Sequence, residues 1–505
     1  MQSNQLKKIG GLIEDIRERH GVTQKDLAKA LQTSQSAVAR MEKGQQNFST
    51  AMLSRIGKAL GTDLFTLSKG SVNFQIEGGR KLKGSVECKT SKNAAVGLLC
   101  ASLMNKGKTT LKNMPRIEEV YRILEVLQSI GVSARWKGSD VEIDASGDIK
   151  LENIDREAAE KTRSIIMFVG PLLHRLKNFS LPQVGGCKLG SRTVRPHFYA
   201  LEKMGVTIET KEGEYRVSRS AKLRPSYIVL YESGDTVTEN VLMAAALIPG
   251  VTTVKLASAN YQVQDMCFFL EAMGVEIEGI GTTTLHIHGI EEFDQDIEYY
   301  PAEDPTEAMF FLAAAAVTKS AIEIKRCPIE FLELELLKME KMGFQYKISK
   351  FYKAKNGRTN LADISTKASE LKALEEKISA RPFPGLNIDN LPFFAVIATQ
   401  AQGQTLIHDW VYEKRAIYYT ELDKLGAETI LADPHRIYIN GVTPLKATEV
   451  VCPPALRPAT IILIGMLAAK GTSILRNVYS INRGYEDLAE RLQKLGARMK
   501  LVRDL

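Results

Sequence analysis

Three stretches of this chain combine residue types that can grip a small anion and move a proton. The first is GSVECKTSKNAAVGLLCASLM, where Lys92-Asn93 opens an apolar, alanine-rich run that reads as a helix. A lysine at a helix N-terminus opposes the helix dipole. That end also presents free backbone N–H groups, so the placement suggests an anion site, with a solvated lysine as the plain alternative. The second stretch is LPQVGGCKLGSRTVRPH, in which Gly185, Gly186 and Gly190 bracket Cys187, with Lys188, Arg192 and Arg195 close by. A glycine-rich loop can close over a ligand, and a thiol among cations ionises more readily and becomes reactive. The third is a scattered C-terminal set: Arg415 in YEKRA, Arg457 in PALRPA, Arg483 in SINRGYE and Asp389 in FPGLNIDNLPF. Singly, each reads as a surface charge. Together they could hold a dianion or trianion with a base beside it.

Such distant residues need a scaffold to bring them together, and the chain carries a repeat that supplies one. A helix ending in an apolar residue and glycine, followed by alternating strand patterns, recurs six times from about residue 71 onward. The glycines are Gly131, Gly205, Gly274, Gly343, Gly426 and Gly496, about 70 residues apart except where a charged insert near Lys353–Lys377 lengthens the interval. A glycine at this point takes the left-handed conformation that ends a helix. Each copy holds strands and helices, so the fold class is α/β or α+β.

The combination SKNAA, GGCKLGSR, PG with Asp389, and NRGYEDLAERLQKLGA resembles the enolpyruvyl transferase family, over about residues 72–502. The resemblance is to its members that act on UDP-N-acetylglucosamine. It implies a two-domain inside-out α/β barrel of six βαβαββ-type repeats, with the chain crossing between halves twice. One half would comprise residues 71–91 plus 302–505, the other residues 92–301, and the active site would lie between them. It further implies that Lys92, Arg192 and Arg483 hold the phosphate of phosphoenolpyruvate, while Arg415 and Arg457 hold its carboxylate. Arg163 would stand near that site and the lid. Asp389 would deprotonate the acceptor hydroxyl, Asn93 would contact the sugar ring, and Cys187 would ride a mobile lid and take part in proton transfer. Ser233, Gly234, Thr238, Glu239 and Asn240 fall in the sugar-nucleotide segment. No metal or cofactor is expected.

The sequence departs from the family pattern around the acceptor. Asp is usual where Ala455 stands, Asn where Lys414 stands, Asp where Asn482 stands and Asp where Glu119 stands. SGDTVTEN occupies Ser233–Asn240 where a Val-Gly-Ala-Thr-Glu-Asn type of run is usual, and Asp304-Pro305 lacks the usual Asp-Arg. Enolpyruvyl transfer from phosphoenolpyruvate to the 3-hydroxyl of UDP-N-acetylglucosamine, as in peptidoglycan precursor synthesis, is the leading expectation. Two alternatives stay open: transfer to a different nucleotide in secondary metabolism, or a regulator that senses UDP-sugars without turning them over.

Residues 1–70 read differently. Helical periodicity runs from Leu6 to Leu67, and GVTQKDLAKALQTSQSAVARMEKG reads helix, short turn, helix, with Thr23 and Ser34 as N-caps. This resembles the phage-repressor (Cro/C1, XRE) helix-turn-helix family, whose second helix enters the DNA major groove. Ser34, Gln35, Ser36 and Arg40 would then face base edges or phosphates; a bundle used only for dimerisation is the alternative. The segment holds eleven Lys/Arg against six Asp/Glu, more than half of the formal net charge of +8, which suits a polyanion partner. A homodimer is a mild expectation, because such domains commonly act in pairs. The chain is 44% hydrophobic and 25% charged, an ordinary soluble balance. No apolar run reaches membrane-spanning length, the charged N-terminus does not read as a signal peptide, and six scattered cysteines without a CxxC pair fit a reducing cytoplasm.

Overall fold

The computed structural model describes residues 10–11, 13–14, 17–18, 22–45, 52, 55–56, 59, 72–183 and 193–503. Among these residues six sheets of three to five strands form, and they cover two large cores. One core runs from Ala95 to Tyr299. The other joins Phe74–Cys88 to residues between Ala308 and Met499. Three sheets belong to each.

The repeating unit is clearest over residues 227–289. Strand Tyr227–Val229 leads to helix Asp235–Ala246, strand Gly250–Lys255, helix Tyr261–Ala272 and a hairpin of Glu276–Glu278 and Thr284–Gly289. The first two strands are parallel, and the hairpin completes the sheet antiparallel. The strands alternate buried and exposed residues, one face on the core and one outside. Helix Pro305–Val317 is buried on all sides, as an apolar run without a polar face requires. All six repeat glycines have positive φ, between 84° and 99°, so each ends its helix in the conformation that only glycine adopts without strain.

Other units are assembled from distant segments. Strand Val72–Gly78 lies between Gly471–Arg476 and Arg498–Arg503, and Lys83–Glu87 runs parallel to Ala321–Pro328. The chain leaves this half at residues 88–91 and returns at 300–304. The two crossing segments are stitched together: Ser91 N–H donates to the Ala302 carbonyl at 2.8 Å and Asp304 N–H to that of Lys89 at 2.9 Å. Across the halves, Arg358 pairs with Glu271, and Asn356 Nδ2 donates to Asp265 Oδ1 at 3.3 Å.

Near the N-terminus, helices Gln24–Leu31 and Gln35–Glu42 are joined by a tight turn in which Gln32 is left-handed. Thr23 and Asp26 form a reciprocal capping box, and the Ser34 hydroxyl accepts from Ala37 N–H. Ala28, Ala37 and Val38 let the helices cross closely over a small separate core with Ile13, Leu27, Leu31, Met41 and Ile56. Arg17 and Glu42 form a buried pair at 2.5 Å beneath it.

No helix among the described residues is long and apolar enough to cross a membrane. Among the described residues, neither large core draws on one before Val72. Removal of residues 1–70 should therefore leave a folded body whose melting temperature lies within about 2 °C of that of the full chain; a truncated chain that is unfolded by circular dichroism would refute this independence.

Candidate active site

The candidate site is built from six helix or segment ends, those of Lys92, Glu119, Asp389, Arg415, Arg457 and Arg483. Lys92 is the first residue of helix Lys92–Ala101, which Ser91 caps through Ala94 N–H. The Ser91 hydroxyl donates to the Tyr261 hydroxyl at 3.0 Å, and Asn93 Nδ2 to the same oxygen at 3.2 Å. Tyr261 thus fixes the opening turn of the lysine's helix. Burial lowers the Lys92 pKa, while the carboxylate of Glu119 works in the opposite direction. Arg483, Arg457 and Asp389 also act on it electrostatically, which places these groups together.

Asp389 sits between two arginines. Arg457 Nη2 lies 3.3 Å from Asp389 Oδ2, and Arg415 Nη1 lies 4.0 Å from Oδ1. Burial pushes the Asp389 pKa up, but the charges of Arg457, Arg415 and Lys92 outweigh it and hold the group below the ordinary carboxylate value. Arg457 is itself anchored: Nη1 donates to the Tyr485 hydroxyl at 2.8 Å and Nη2 to the Thr306 hydroxyl at 2.7 Å. Thr306 in turn donates to Asp304, the N-cap of helix Pro305–Val317. Arg415 is 1% exposed and is held by Asp409 through Nε at 2.5 Å and Nη2 at 2.9 Å, with a further bond from Nη2 to the Ile388 carbonyl. Tyr419 donates to the same Asp409.

Arg483 Nε donates to Glu119 Oε2 at 2.6 Å across the two halves, and Glu119 Oε1 accepts from the Thr162 hydroxyl at 2.9 Å. Thr162 caps the short 3-10 helix Arg163–Phe168. The charge of Arg163 acts on His197, near the start of helix Arg195–Glu202. Burial, with help from Arg163, holds His197 neutral with a pKa of about 3. The structure therefore brings together Lys92, Asn93, Asp389, Arg415, Arg457 and Arg483. Cys187 and Arg192 lie outside the described residues.

The segment expected to meet the sugar nucleotide, Ser233–Asn240, is buried over its second half. Thr238, Glu239 and Asn240 are fully buried; most of their polar atoms bond within the fold, while Glu239 Oε1 has no hydrogen-bond partner among the described residues. The Thr238 hydroxyl donates to the Gly234 carbonyl at 2.7 Å and accepts from Ser258 N–H. Glu239 accepts from Gln262 at 3.1 Å. Asn240 brackets Gly170 N–H, the Ile166 carbonyl and His197 Nδ1. Ser233 and Gly234 remain half-exposed at the start of the helix. Beside them stands Asp235, overlooked in the sequence, whose carboxylate accepts from Ser258 and Asn260 and is influenced by Asp389. Asp409 and Tyr485 were also missed; the only sequence signal was their nearness to Arg415 and Arg483. At the N-terminal domain, Ser34, Gln35, Ser36 and Arg40 are all exposed on or beside the second helix. Elsewhere, Glu276, Glu278 and His288 bring ligand atoms within 4.8 Å of one another on an exposed sheet face.

Because Asp409 is the buried counter-charge of Arg415, Asp409→Asn should destabilise the protein by about 3–5 kcal/mol, measured by urea unfolding. A loss under about 1 kcal/mol would show that the pair is not needed to keep the arginine buried.

Comparison with known proteins agrees with this architecture. The family model described as EPSP synthase (3-phosphoshikimate 1-carboxyvinyltransferase) matches residues 76–492, and a helix-turn-helix model matches residues 13–67. UDP-N-acetylglucosamine 1-carboxyvinyltransferase of Bradyrhizobium diazoefficiens is 32% identical over 439 residues, covering 85% of this chain and 98% of that protein. The Wolinella succinogenes protein of the same name is 35% identical over 430 residues, covering 84% and 98%. Among solved structures, the enolpyruvyl transferase NikO from Streptomyces tendae superposes with a TM-score of 0.75 at 23% identity, covering 86% of this chain and 100% of that one. EPSP synthase from Acinetobacter baumannii gives 0.65 at 18%, covering 85% and 100%. The chain belongs to the enolpyruvyl transferase family, with a helix-turn-helix domain joined to its N-terminal end.

Proposed function

We propose that this protein transfers the enolpyruvyl group of phosphoenolpyruvate to the 3-hydroxyl of UDP-N-acetylglucosamine and releases phosphate. The observation that carries the reading is the convergence of Arg457, Arg415 and Lys92 around Asp389, with Arg483 beside Lys92 through Glu119. In this reading the bodies of residues 71–91 plus 302–505 and of residues 92–301 form the two walls of the cleft. Lys92, Arg483 and Arg192 hold the phosphate, with Arg163 nearby. Arg415 and Arg457 serve the carboxylate. Asn93 and the Ser233–Gly234 turn face the acceptor.

Asp389 takes the proton of the acceptor hydroxyl as its oxygen attacks C2 of phosphoenolpyruvate. A proton delivered to C3 makes that carbon a methyl and gives a tetrahedral intermediate, and Cys187 on the lid takes part in this transfer. Breaking the C2–O bond to phosphate and removing a proton from C3 restores the double bond. Atoms balance: the acceptor loses one proton and gains the enolpyruvyl group, and phosphate leaves. The arginines also set the strength of the base. In the empty cleft they make Asp389 a weak acceptor of protons. The arriving carboxylate shares Arg457 and Arg415 and so raises the basicity of Asp389 when substrate is bound.

The N-terminal domain is proposed to bind DNA through Ser34, Gln35, Ser36 and Arg40, as the exposure of all four supports.

The test is phosphate release from phosphoenolpyruvate with UDP-N-acetylglucosamine as acceptor. Asp389→Asn should lower kcat by about 10²–10⁴-fold while the KM for phosphoenolpyruvate changes little. In the free enzyme Asp389 is ionised down to a pH below the ordinary carboxylate range, so kcat/KM should show no loss on its account above about pH 4. No release with UDP-N-acetylglucosamine, but release with another nucleotide, would overturn the acceptor. Fosfomycin, an epoxide that alkylates thiols, should inactivate the enzyme through Cys187; full activity after prolonged exposure would remove that cysteine from the lid role.

A further inference from the structure

Glu119 occupies an unusual position for a carboxylate. It stands in the first turn of helix Glu118–Ser129 and is 4% exposed. One oxygen accepts from Arg483 Nε at 2.6 Å, the other from the Thr162 hydroxyl at 2.9 Å. Burial raises its pKa, yet the charges of Lys92 and Arg483 overcome this, and the group is held ionised below its ordinary value. Its two cationic neighbours, one from each half of the cleft, are those proposed to hold the phosphate of phosphoenolpyruvate. An internal anion therefore already sits among them in the empty protein.

We propose that Glu119 is a positioning residue that stands in for the phosphate. It holds Lys92 and Arg483 at phosphate-binding separation when the cleft is empty, and it limits how tightly they grip phosphate when the cleft is full. Three consequences follow from charge and reach. Two like charges gathered in a poorly solvated cleft repel each other strongly unless a counter-charge lies between them. A carboxylate fixed beside the phosphate locus then opposes each bound anion, and this hastens the departure of the product. Through Thr162, the cap of the segment that begins with Arg163, the same carboxylate ties that segment's first turn to the phosphate locus. The proposal rests on the assignment of Lys92 and Arg483 to phosphate.

The experiment uses the full chain with inorganic phosphate and with phosphoenolpyruvate as calorimetric ligands, alongside steady-state kinetics. Glu119→Gln keeps the shape and one acceptor oxygen but removes the charge. It should bind inorganic phosphate about tenfold more tightly, lower the KM for phosphoenolpyruvate, and lower kcat several-fold with stronger product inhibition by phosphate. Glu119→Asp keeps the charge, and its phosphate affinity should stay within about twofold of the parent protein. A merely structural role would instead raise KM and lower the melting temperature without tightening phosphate. Unchanged or weaker phosphate binding by a folded Glu119→Gln protein overturns the inference. If that variant fails to fold, Thr162→Val decides the matter: it removes one hydrogen bond and no charge, so a phosphate affinity altered tenfold would overturn the electrostatic account, and one altered less than twofold would support it. A parent protein that binds neither inorganic phosphate nor phosphoenolpyruvate would refute the cleft assignment itself.

Discussion

Like charges crowd the cleft, and it holds its shape because carboxylates built into the fold neutralise them in advance. Arg415 is clamped by Asp409, Arg457 leans on Asp389, and Arg483 reaches Glu119. Without these partners, buried guanidinium groups would repel one another and draw in water, since a desolvated charge is stable only when paired. The apolar helices behind the cleft, such as Pro305–Val317 and Leu456–Ala468, supply rigid backing but no charge compensation. Cations oriented in advance in this way can meet an anionic ligand with little reorganisation.

The three counter-charges differ in how firmly they hold. Asp409 is fully buried and makes two bonds to one guanidinium, so Arg415 belongs to the framework as much as to the site. Asp389 is about a quarter exposed and is shared between two arginines, so neither pair holds it as firmly as Asp409 holds Arg415. Glu119 joins the halves through a residue whose side chain is 41% exposed, the least confined of the cations. Firm, intermediate and yielding contacts thus grade the site from Arg415 through Asp389 to Arg483.

Much of the scaffold was legible in sequence because its determinants are local. A glycine that ends a helix and a Thr-x-x-Asp cap act within a few residues, and the repeat glycines and Thr23 behave as read. The cations were legible as a set through resemblance, although their spacing alone shows no clustering. Their partners were not legible. Glu119 and Arg483 are 364 residues apart, and nothing in composition links them. Thr238, Glu239 and Asn240 read in sequence as a polar run at the start of a helix; that Asn240 and Glu239 also meet Gly170, His197 and Gln262 was not legible, because those partners are distant in the chain.

The interleaved path of the chain has a consequence for how the protein emerges from the ribosome. Strand Val72–Gly78 is made early, but its neighbours, Gly471–Arg476 and Arg498–Arg503, come at the end. At roughly 5–20 residues per second, translation leaves that strand without its partners for roughly 20–80 s. The inserted body between Ala95 and Tyr299 has its core complete well before then. The nascent chain thus carries one finished half while an apolar strand bearing Phe74 and Ile76 waits with open edges, the situation in which strands pair with the wrong molecule.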